Sequence, residues 1–473
     1  MSDSWSNSGD GTPPSIGGVD LHLDLHTGRV REALVDALRD AVRSSRLAPG
    51  TSLPPTRSLA ADLGMARNTV VQAYSELVAE GWLISRQGAG TVVAQRTPDS
   101  PRPVPAGART SAPHRHLHDL RPGRPDVSAF PRTEWIRAVR RAVSSAPDSA
   151  FGYGDCLGRP ELRAAVSNYL ARTRGVDVTP ERVIVCSGAS HGFALLAQAL
   201  REQGVSELAV ESYGLGIHRK VFLDNGVRTR PIGVDDLGAR IADLDALGSR
   251  AVLLTPSHQF PTGVALDPER RNAFVDWARR TGGIVIEDDY DGEFRYDRRP
   301  IGALQGLDPD HVVYVGTTSK SLAPGLRLGW MVLPERLVPA VADFKGAHEV
   351  VGVVDQLAMA DLIETGAYDR HVRAMRLRYR RRRDQLVAAV ADAAPDSRIT
   401  GMNAGLHVLL ELASGNESAV VEGSAWQDLA VYGLAQFRHP DITEQRDALV
   451  IGYGTPSASG WPGALEALCR VLP

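Results

Sequence analysis

The 473-residue chain carries 53 Lys plus Arg against 56 Asp plus Glu, a formal net charge of −3, so no global basic field announces nucleic acid and any DNA binding must come from a local surface. That length allows roughly three domains of about 150 residues each. Cys156, Cys186 and Cys469 stand far apart, with no C-x-x-C pair and no even set for a disulfide framework, and no run reaches the roughly eighteen apolar residues of a membrane span, which together fit a cytoplasmic protein with no membrane partner.

Residues 1–20, mostly Ser, Gly, Asp and Pro, read as a disordered tail. From Arg29 to Ser45, apolar Val30, Leu34, Ala37, Leu38, Ala41 and Val42 recur at helical spacing. Leu47 to Pro55 is a turn, closed to helix by its prolines and glycine, with Thr56 placed to cap a short helix from Arg57 to Leu63. After the Gly64 corner a second helix opens at Arg67-Asn68-Thr69, lines one face with Val70, Val71, Tyr74, Leu77 and Val78, and ends at Gly81. Two helices across a glycine corner make a helix-turn-helix, and Trp82 to Ala94 follows as strand, glycine turn and strand, the pattern of a wing. From pattern alone, a small helical subdomain with a hairpin stays open. The string from Leu53 to Thr91 is similar over its whole length to the GntR signature, which implies a winged-helix DNA-binding domain at 21–96. The same resemblance implies that Arg57, at the start of the first motif helix, and Arg67, Asn68 and Thr69, at the start of the recognition helix, meet promoter DNA. Gly88 in the wing would let backbone approach a minor-groove phosphate. The placement is physically sound, because the first residues of a recognition helix reach base edges while its free N–H groups favour phosphate. Glu76 and Glu80, later on that helix, confine the contact to its first turns.

Residues 97–118, rich in Pro, Ala, Ser and Arg without an apolar period, read as a linker. His114, His116 and His118 lie in it without nearby carboxylate or thiolate partners, so no metal is expected. The remainder, 119–473, reads as one large α/β domain with a small C-terminal α+β subdomain over about 360–473. Val183 to Cys186 is a strand emptying into the small residues Ser187-Gly188-Ala189-Ser190 at a helix start, where free backbone N–H groups can hold a phosphate. Ile284 to Glu287 is a buried parallel strand that empties into Asp288-Asp289-Tyr290-Asp291. Val312 onward is a third, delivering Lys320 to a loop, with Arg327 seven positions later. In open α/β sheets, ligands sit outside the carboxyl ends of the strands, so these groups face one crevice. Further on, Arg376 to Arg383 reads as a solvated helix face entering the small subdomain.

Lys320 organises this pattern. The only lysines are Lys220, Lys320 and Lys345, and an amine that must shed its proton to attack a carbonyl cannot be replaced by a guanidinium. A phosphate cradle, a carboxylate, a phenol and a lysine together suit pyridoxal 5′-phosphate.

The stretches Thr255–Gly263, Ile286–Tyr296 and Gly316–Arg327 resemble the MocR/GabR family, which fuses a GntR-type winged helix to a fold-type-I aminotransferase-like domain; the likeness runs from about Leu25 to the C-terminus. The resemblance implies that Lys320 holds the cofactor as a Schiff base, that Asp288 pairs with the pyridinium nitrogen and that Tyr290 donates to the ring oxygen. Asp288 is chosen over Asp289 by family register, since spacing does not decide between them. Ser319 and Arg327, with Gly188, Ala189 and Ser190, would surround the phosphate, and Tyr153, in a Tyr-Gly-Asp motif with Cys156 where proline is usual, would reach the cofactor phosphate of the partner subunit in a homodimer. The loop from Val210 to Arg219 departs from the family. Leu215 falls where a tyrosine would lie on the ring, and Tyr213 could replace it only if the loop shifts. Arg438, with Arg446 close by, is the candidate clamp for an effector carboxylate.

Two functions follow. One is a transcription regulator that senses the cofactor, or an amine or amino acid displacing Lys320, controlling cofactor synthesis or amino-acid metabolism. The other is an aminotransferase with an accessory DNA-binding module. Phe260, where ordinary aminotransferases commonly carry an asparagine amide reaching the ring hydroxyl, argues against efficient transamination.

Overall fold

The computed structural model describes residues 15–16, 19–20, 30–44, 46–86, 90–94, 116–296, 301–346, 351–413, 415–444 and 446–473. Gly88, most of the tail at 1–20 and the linker up to residue 115 lie outside them. The chain divides into two compact units, Met1–His114 and Arg115–Pro473.

In the first unit, α1 (Val30–Arg43) turns Leu34, Val35, Leu38 and Ala41 inward at the spacing of one helical face. They pack on Leu59 and Ala60 of α2 (Thr56–Asp62) and on Val70, Ala73, Tyr74 and Leu77 of α3 (Arg67–Ala79). Gly64, at φ 64°, makes the corner between α2 and α3, a left-handed turn that favours glycine. The expected cap at Thr56 is not made: Thr56 is already the first helical residue and Pro55 holds the cap position without a side-chain bond. Strands β1 (Leu83–Arg86) and β2 (Gly90–Val93) pair antiparallel from Leu83↔Val93 to Arg86↔Gly90, and Ser52 bridges to Val92. The Tyr74 hydroxyl donates to Pro54 O at 3.0 Å, tying the recognition helix to the preceding turn.

The second unit is built on a mixed seven-stranded sheet. In chain order its strands are β3 (Val183–Cys186), β4 (Glu207–Glu211), β5 (Arg228–Ile232), β6 (Ala251–Leu254), β7 (Ile284–Asp288), β8 (Val312–Thr317) and β9 (Gly329–Val332). Their spatial order is β3-β9-β8-β7-β6-β4-β5, and only β9 runs against the others. Alternation along β7 sends Ile286 to the cluster around Phe193 and Val285 to the one around Trp277, so both faces are covered and the strands read as continuous apolar runs. The helices at the site are α4 (Ala189–Glu202), which follows β3, and α5 (Gly216–Asp224), which follows β4.

The C-terminal part adds the long helix α6 (Ala367–Ala393) and a four-stranded antiparallel sheet of Arg398–Thr400, His407–Glu411, Ala448–Gly452 and Tyr432–Gly433 in that spatial order. Their shared core includes Met375, Tyr379, Leu386, Leu410, Ile451 and Tyr453. Near the start of the unit, His118–Asp119 pairs parallel with Leu429–Ala430.

The helix α6 corrects one expectation. Its arginine run is not a solvated face throughout. Arg382 is 4% exposed and donates to Asp126 Oδ2 at 3.0 Å, Arg378 reaches the same oxygen at 3.2 Å, and Arg376 donates to Glu293 O at 2.9 and 2.6 Å. Only Arg380 and Arg381 are exposed, beside an exposed Leu377. A helix packed on one side turns every third or fourth residue inward, and the buried Asp126 makes a cation acceptable there.

Candidate functional site

Because β3, β4, β6, β7 and β8 run in one sense, Cys186, Glu211, Leu254, Asp288 and Thr317 end on one edge of the sheet. The loops beyond them carry the chemistry. Lys320, three residues past β8, is partly buried, and its amine donates to Gly123 O at 2.5 Å. Burial pulls that amine below its ordinary pKa, against the raising effect of Asp288 and Asp291, while Arg124 adds to the lowering.

The two neighbouring aspartates have opposite surroundings. Asp289 accepts from Arg174 Nε at 2.7 Å and Nη2 at 2.9 Å, and from the Tyr314 hydroxyl at 2.8 Å. Asp288, 4% exposed, keeps Oδ1 without any hydrogen-bond partner among the described residues. Burial pushes its pKa up to about 8, with Lys320 opposing and Asp289, Asp291 and Glu211 adding to the rise. Its other oxygen lies 3.6 Å from His218 Nδ1. Burial takes His218 down to about 3, so that contact is polar and not ionic. A buried carboxyl with an orphaned oxygen calls for a donor or cation opposite it.

Tyr290 is 8% exposed, and burial, reinforced by Asp291 and Asp288, holds its phenol protonated. Its hydroxyl stands 3.1 Å from both His258 O and His258 Nδ1. Tyr213, Leu215, His218 and Arg219 from one side, with Phe260, Asp288 and Tyr290 from the other, wall one small cavity of about 40 Å³. Gln259 fastens that wall: its Nε2 donates to Tyr213 O at 3.0 Å and to Glu211 Oε2 at 3.2 Å, while its Oε1 accepts from Thr262 Oγ1 at 2.6 Å. Tyr213 is further bridged to the backbone of Arg438. The loop is therefore pinned in the register that puts Leu215 at the start of α5.

On the opposite flank, Gly188 precedes α4 at φ 81°, and a Cβ there would lie 3.3 Å from the Arg327 guanidinium. Arg327, itself left-handed at φ 50°, donates to Ser187 O at 2.6 Å. Ser319 Oγ is 2.8 Å from Thr317 Oγ1. The first turn of α4, with Ala189 and Ser190, has no side-chain cap, which leaves outward N–H groups beside a guanidinium.

Lys320, Asp288, Tyr290, Ser319, Arg327, Gly188, Ala189, Ser190 and Tyr213 thus come to one strand edge. Tyr153 does not join them within this chain: it is 90% exposed and lines a separate cavity of about 220 Å³ with Asp155 and Arg159. Arg438 turns its guanidinium to Glu444 O at 3.2 Å, and the arginine in the cavity wall is Arg219. Arg219, His218 and Gln259 were not singled out from sequence. His218 and Arg219 sit in the first turn of α5, where spacing from Leu215 was the only signal. A larger cavity of about 820 Å³ is lined by Thr262, Arg271, Arg398 and Arg446 among others. It contains neither Lys320 nor Asp288. His258, Asp291 and His407 gather ligand atoms within 4.8 Å, a grouping able to hold a metal ion, although His258 Nδ1 and Asp291 Oδ2 are already hydrogen-bonded at 2.8 Å.

In the first unit, Arg57, Arg67 and Asn68 are exposed and Thr69 half-buried, at the starts of α2 and α3. The α3 cap residue, Ala66, offers no side-chain bond, so its first N–H groups are open to phosphate. Farther along, Glu80 is engaged by Arg39 at 2.9 Å and Glu76 by Arg31 at 3.3 Å, which neutralises the acidic end of the helix.

Residues 30–93 match the model of bacterial regulatory proteins of the gntR family, and residues 120–455 that of aminotransferase class I and II. The chain is 35% identical over 378 residues to the probable rhizopine catabolism regulatory protein MocR of Rhizobium meliloti, covering 75% of this chain and 76% of that one. It is 32% identical over 431 residues to the HTH-type pyridoxine biosynthesis transcriptional regulator PdxR of Corynebacterium glutamicum, covering 89% and 91%. Among solved structures, a Pyrococcus horikoshii kynurenine aminotransferase superposes with a TM-score of 0.67 at 22% identity over 76% of this chain and 90% of that one, a likeness of fold.

Proposed function

The chain belongs to the MocR/GabR family of transcription regulators, a gntR-type winged helix joined to an aminotransferase class I and II domain, and from that premise we propose that it senses pyridoxal 5′-phosphate, or an amine presented to it, through Lys320. The observation that carries this reading is the orphaned, buried Asp288 Oδ1 on the strand beside the one that delivers a partly buried lysine.

The residues fit the cofactor. When bound, it supplies an aldehyde that condenses with amines and a ring that withdraws electrons from the new bond. Asp288 would hold a proton at the ring nitrogen, which satisfies its empty oxygen and restores its charge. His218, neutral, would steady the other carboxylate oxygen. Tyr290 would donate to the ring oxygen. Arg327 and the N–H groups of Gly188, Ala189 and Ser190 would grip the phosphate, with Ser319 beside them. The lowered pKa of Lys320 readies its amine, because a lysine attacks a carbonyl only after losing its proton. Tyr153 is left to reach a partner subunit's site in a homodimer, and Tyr213 or Leu215 to meet the ring. Arg219 and Arg438 are the two arginines for an effector carboxylate.

Recognition of DNA falls to Arg57, Arg67, Asn68 and Thr69, with Gly88 in the wing. Signalling requires that the ligand favour one arrangement of the DNA-binding units over another. Phe260 provides no donor where an amide would help turnover, which favours a receptor over an enzyme.

The test is a titration of promoter DNA from upstream of this gene with cofactor-free protein, loaded protein, and loaded protein plus candidate amines. A change of affinity or footprint with cofactor alone makes the cofactor the signal, and a change only with an amine makes the amine the signal. Lys320→Ala should lose both the visible cofactor absorbance and the response, and Arg67→Ala should weaken binding by roughly 1–3 kcal/mol. Amine turnover without DNA binding would replace this reading by the aminotransferase.

A further inference from the structure

Behind Tyr290 lies a hydrogen-bonded pair for which the cofactor reading has no use. His258, in the turn after β6, is 3% exposed, and its Nδ1 is 2.8 Å from Asp291 Oδ2, also on a 3% exposed residue. With Asp291 Oδ2 as the acceptor, Nδ1 is the donor of this hydrogen bond. The same Nδ1 is 3.1 Å from the Tyr290 oxygen, while the phenol proton has His258 O at 3.1 Å as its acceptor. The N–H of His258 is thus shared between Asp291 and the phenol oxygen. The pair is clamped from the C-terminal part: a Cβ on Gly405, which has φ 72°, would lie 2.2 Å from His258 Cε1 and 2.5 Å from Asp291 Oδ2, so the backbone there touches both. The His407 ring covers His258 at 4.9 Å. Phe260 meets Tyr290 edge-on at 5.9 Å and offers it no donor.

We propose that His258, held by Asp291, is the positioning residue for Tyr290, fixing the phenol oxygen through its Nδ1–H so that, with the cofactor bound, the phenol proton can turn from His258 O to the ring oxygen. This inference rests on the cofactor reading above. The titratable groups facing Tyr290 are Asp288, Asp291 and Glu211, with Lys320 acting on Asp288, Asp291 and His407, and His407 lying against His258. None of them but His258 donates to the phenol oxygen among the hydrogen bonds of the described residues.

The consequence is electrostatic. A cofactor held by Lys320 would supply an ionisable nitrogen, and loss of that proton to solvent would leave the ring oxygen the more negative group. A well-directed donor at that oxygen favours the deprotonated form and lowers the pH of the transition. Removing the support from Tyr290 should raise it.

The experiment is a pH titration of the visible absorbance of the full-length, cofactor-loaded protein. His258→Phe should raise the midpoint by roughly half to one pH unit, the size of one net hydrogen bond. His258→Gln, which retains an N–H donor, should restore part of that shift. In a Tyr290→Phe background, His258→Phe should add nothing further, because its route of action is gone. If His258→Phe does not fold, His258→Leu carries the same comparison. An unchanged midpoint in the single variant overturns the proposal, as does an equal shift in the Tyr290→Phe background, which is what a purely structural role would give. If the unaltered protein gains no mass at Lys320 after cofactor loading and borohydride reduction, the cofactor reading itself fails, a result separable from a titration that is merely unmoved.

Discussion

Asp288 and Asp289 differ by one position along a strand end, and the alternation of side chains sends them into different chemistry. Asp289 is spent on Arg174 and Tyr314, whereas Asp288 is left with an empty oxygen. An acid raised from 3.8 to about 8 in the folded chain binds its proton more tightly there than in the unfolded chain. The stability this provides is fully present below pH 3.8 and is lost as pH rises toward 8. Glu211 and Glu293, both raised to about 7 by burial, act in the same direction. Above about pH 6.5, where the buried neutral His218 and His407 no longer oppose the trend, cofactor-free protein should therefore melt at progressively lower temperature up to about pH 8, and Asp288→Asn should flatten part of that slope. Saturating cofactor should flatten it too, by giving the carboxylate a cationic partner. Calorimetry across the pH range reads all three, and an Asp288→Asn slope equal to that of the unaltered protein would remove Asp288 from the account. The choice between the two aspartates was not legible in spacing. It became so only through Arg174, which lies 115 residues before Asp289 in the chain.

At the scale of elements, local pattern carried furthest where the pattern is the structure. The helices, glycine corner and hairpin of the first unit were readable because they are all local, although the resemblance to the GntR signature was needed to make them a winged helix, and the strand-end loops at Ser187, Asp288 and Lys320 were readable because buried strands announce themselves as apolar runs. The helix α6 shows the limit. A run of arginines looks solvated until a buried acid from far upstream, Asp126, is brought beneath it. Arg382 also lies 5.6 Å from the Trp461 ring and 6.0 Å from that of Tyr379. Removing one partner of a buried pair strands the other, at a cost of roughly 3–5 kcal/mol. Arg382→Ala should lower the denaturant midpoint of the full-length protein accordingly, whereas Arg380→Ala and Arg381→Ala, on the exposed side, should move it by no more than about 0.5 kcal/mol. Equal effects from all three would return the run to a solvated face. His258 and His218 were equally out of reach from sequence, since the first, in the turn after β6, gains its meaning from Tyr290 and Asp291, and the second, on α5, from Asp288, all at or just past the end of β7.

At the scale of the molecule, the described residues place Lys320 and Asp288 in one compact unit and helix α3 in another. No helix among them is long and apolar enough to cross a membrane. Within the second unit, the Lys320 amine donates to Gly123 O. Gly123 lies four residues beyond the His118–Asp119 strand, in the stretch that leads away from the linker, and that stretch is held by Leu429–Ala430. A lysine engaged by a ligand can no longer serve as donor to Gly123, and a carbonyl that loses its partner must find water or move. A ligand on Lys320 would then register as the loss of the bond to Gly123 O. Hydrogen exchange should report it: amides of residues 118–124, where His118 N and Leu120 N are bonded to Asp428 O and Ala430 O, should exchange faster once the lysine is taken, and unchanged protection there would show that the stretch does not register the ligand.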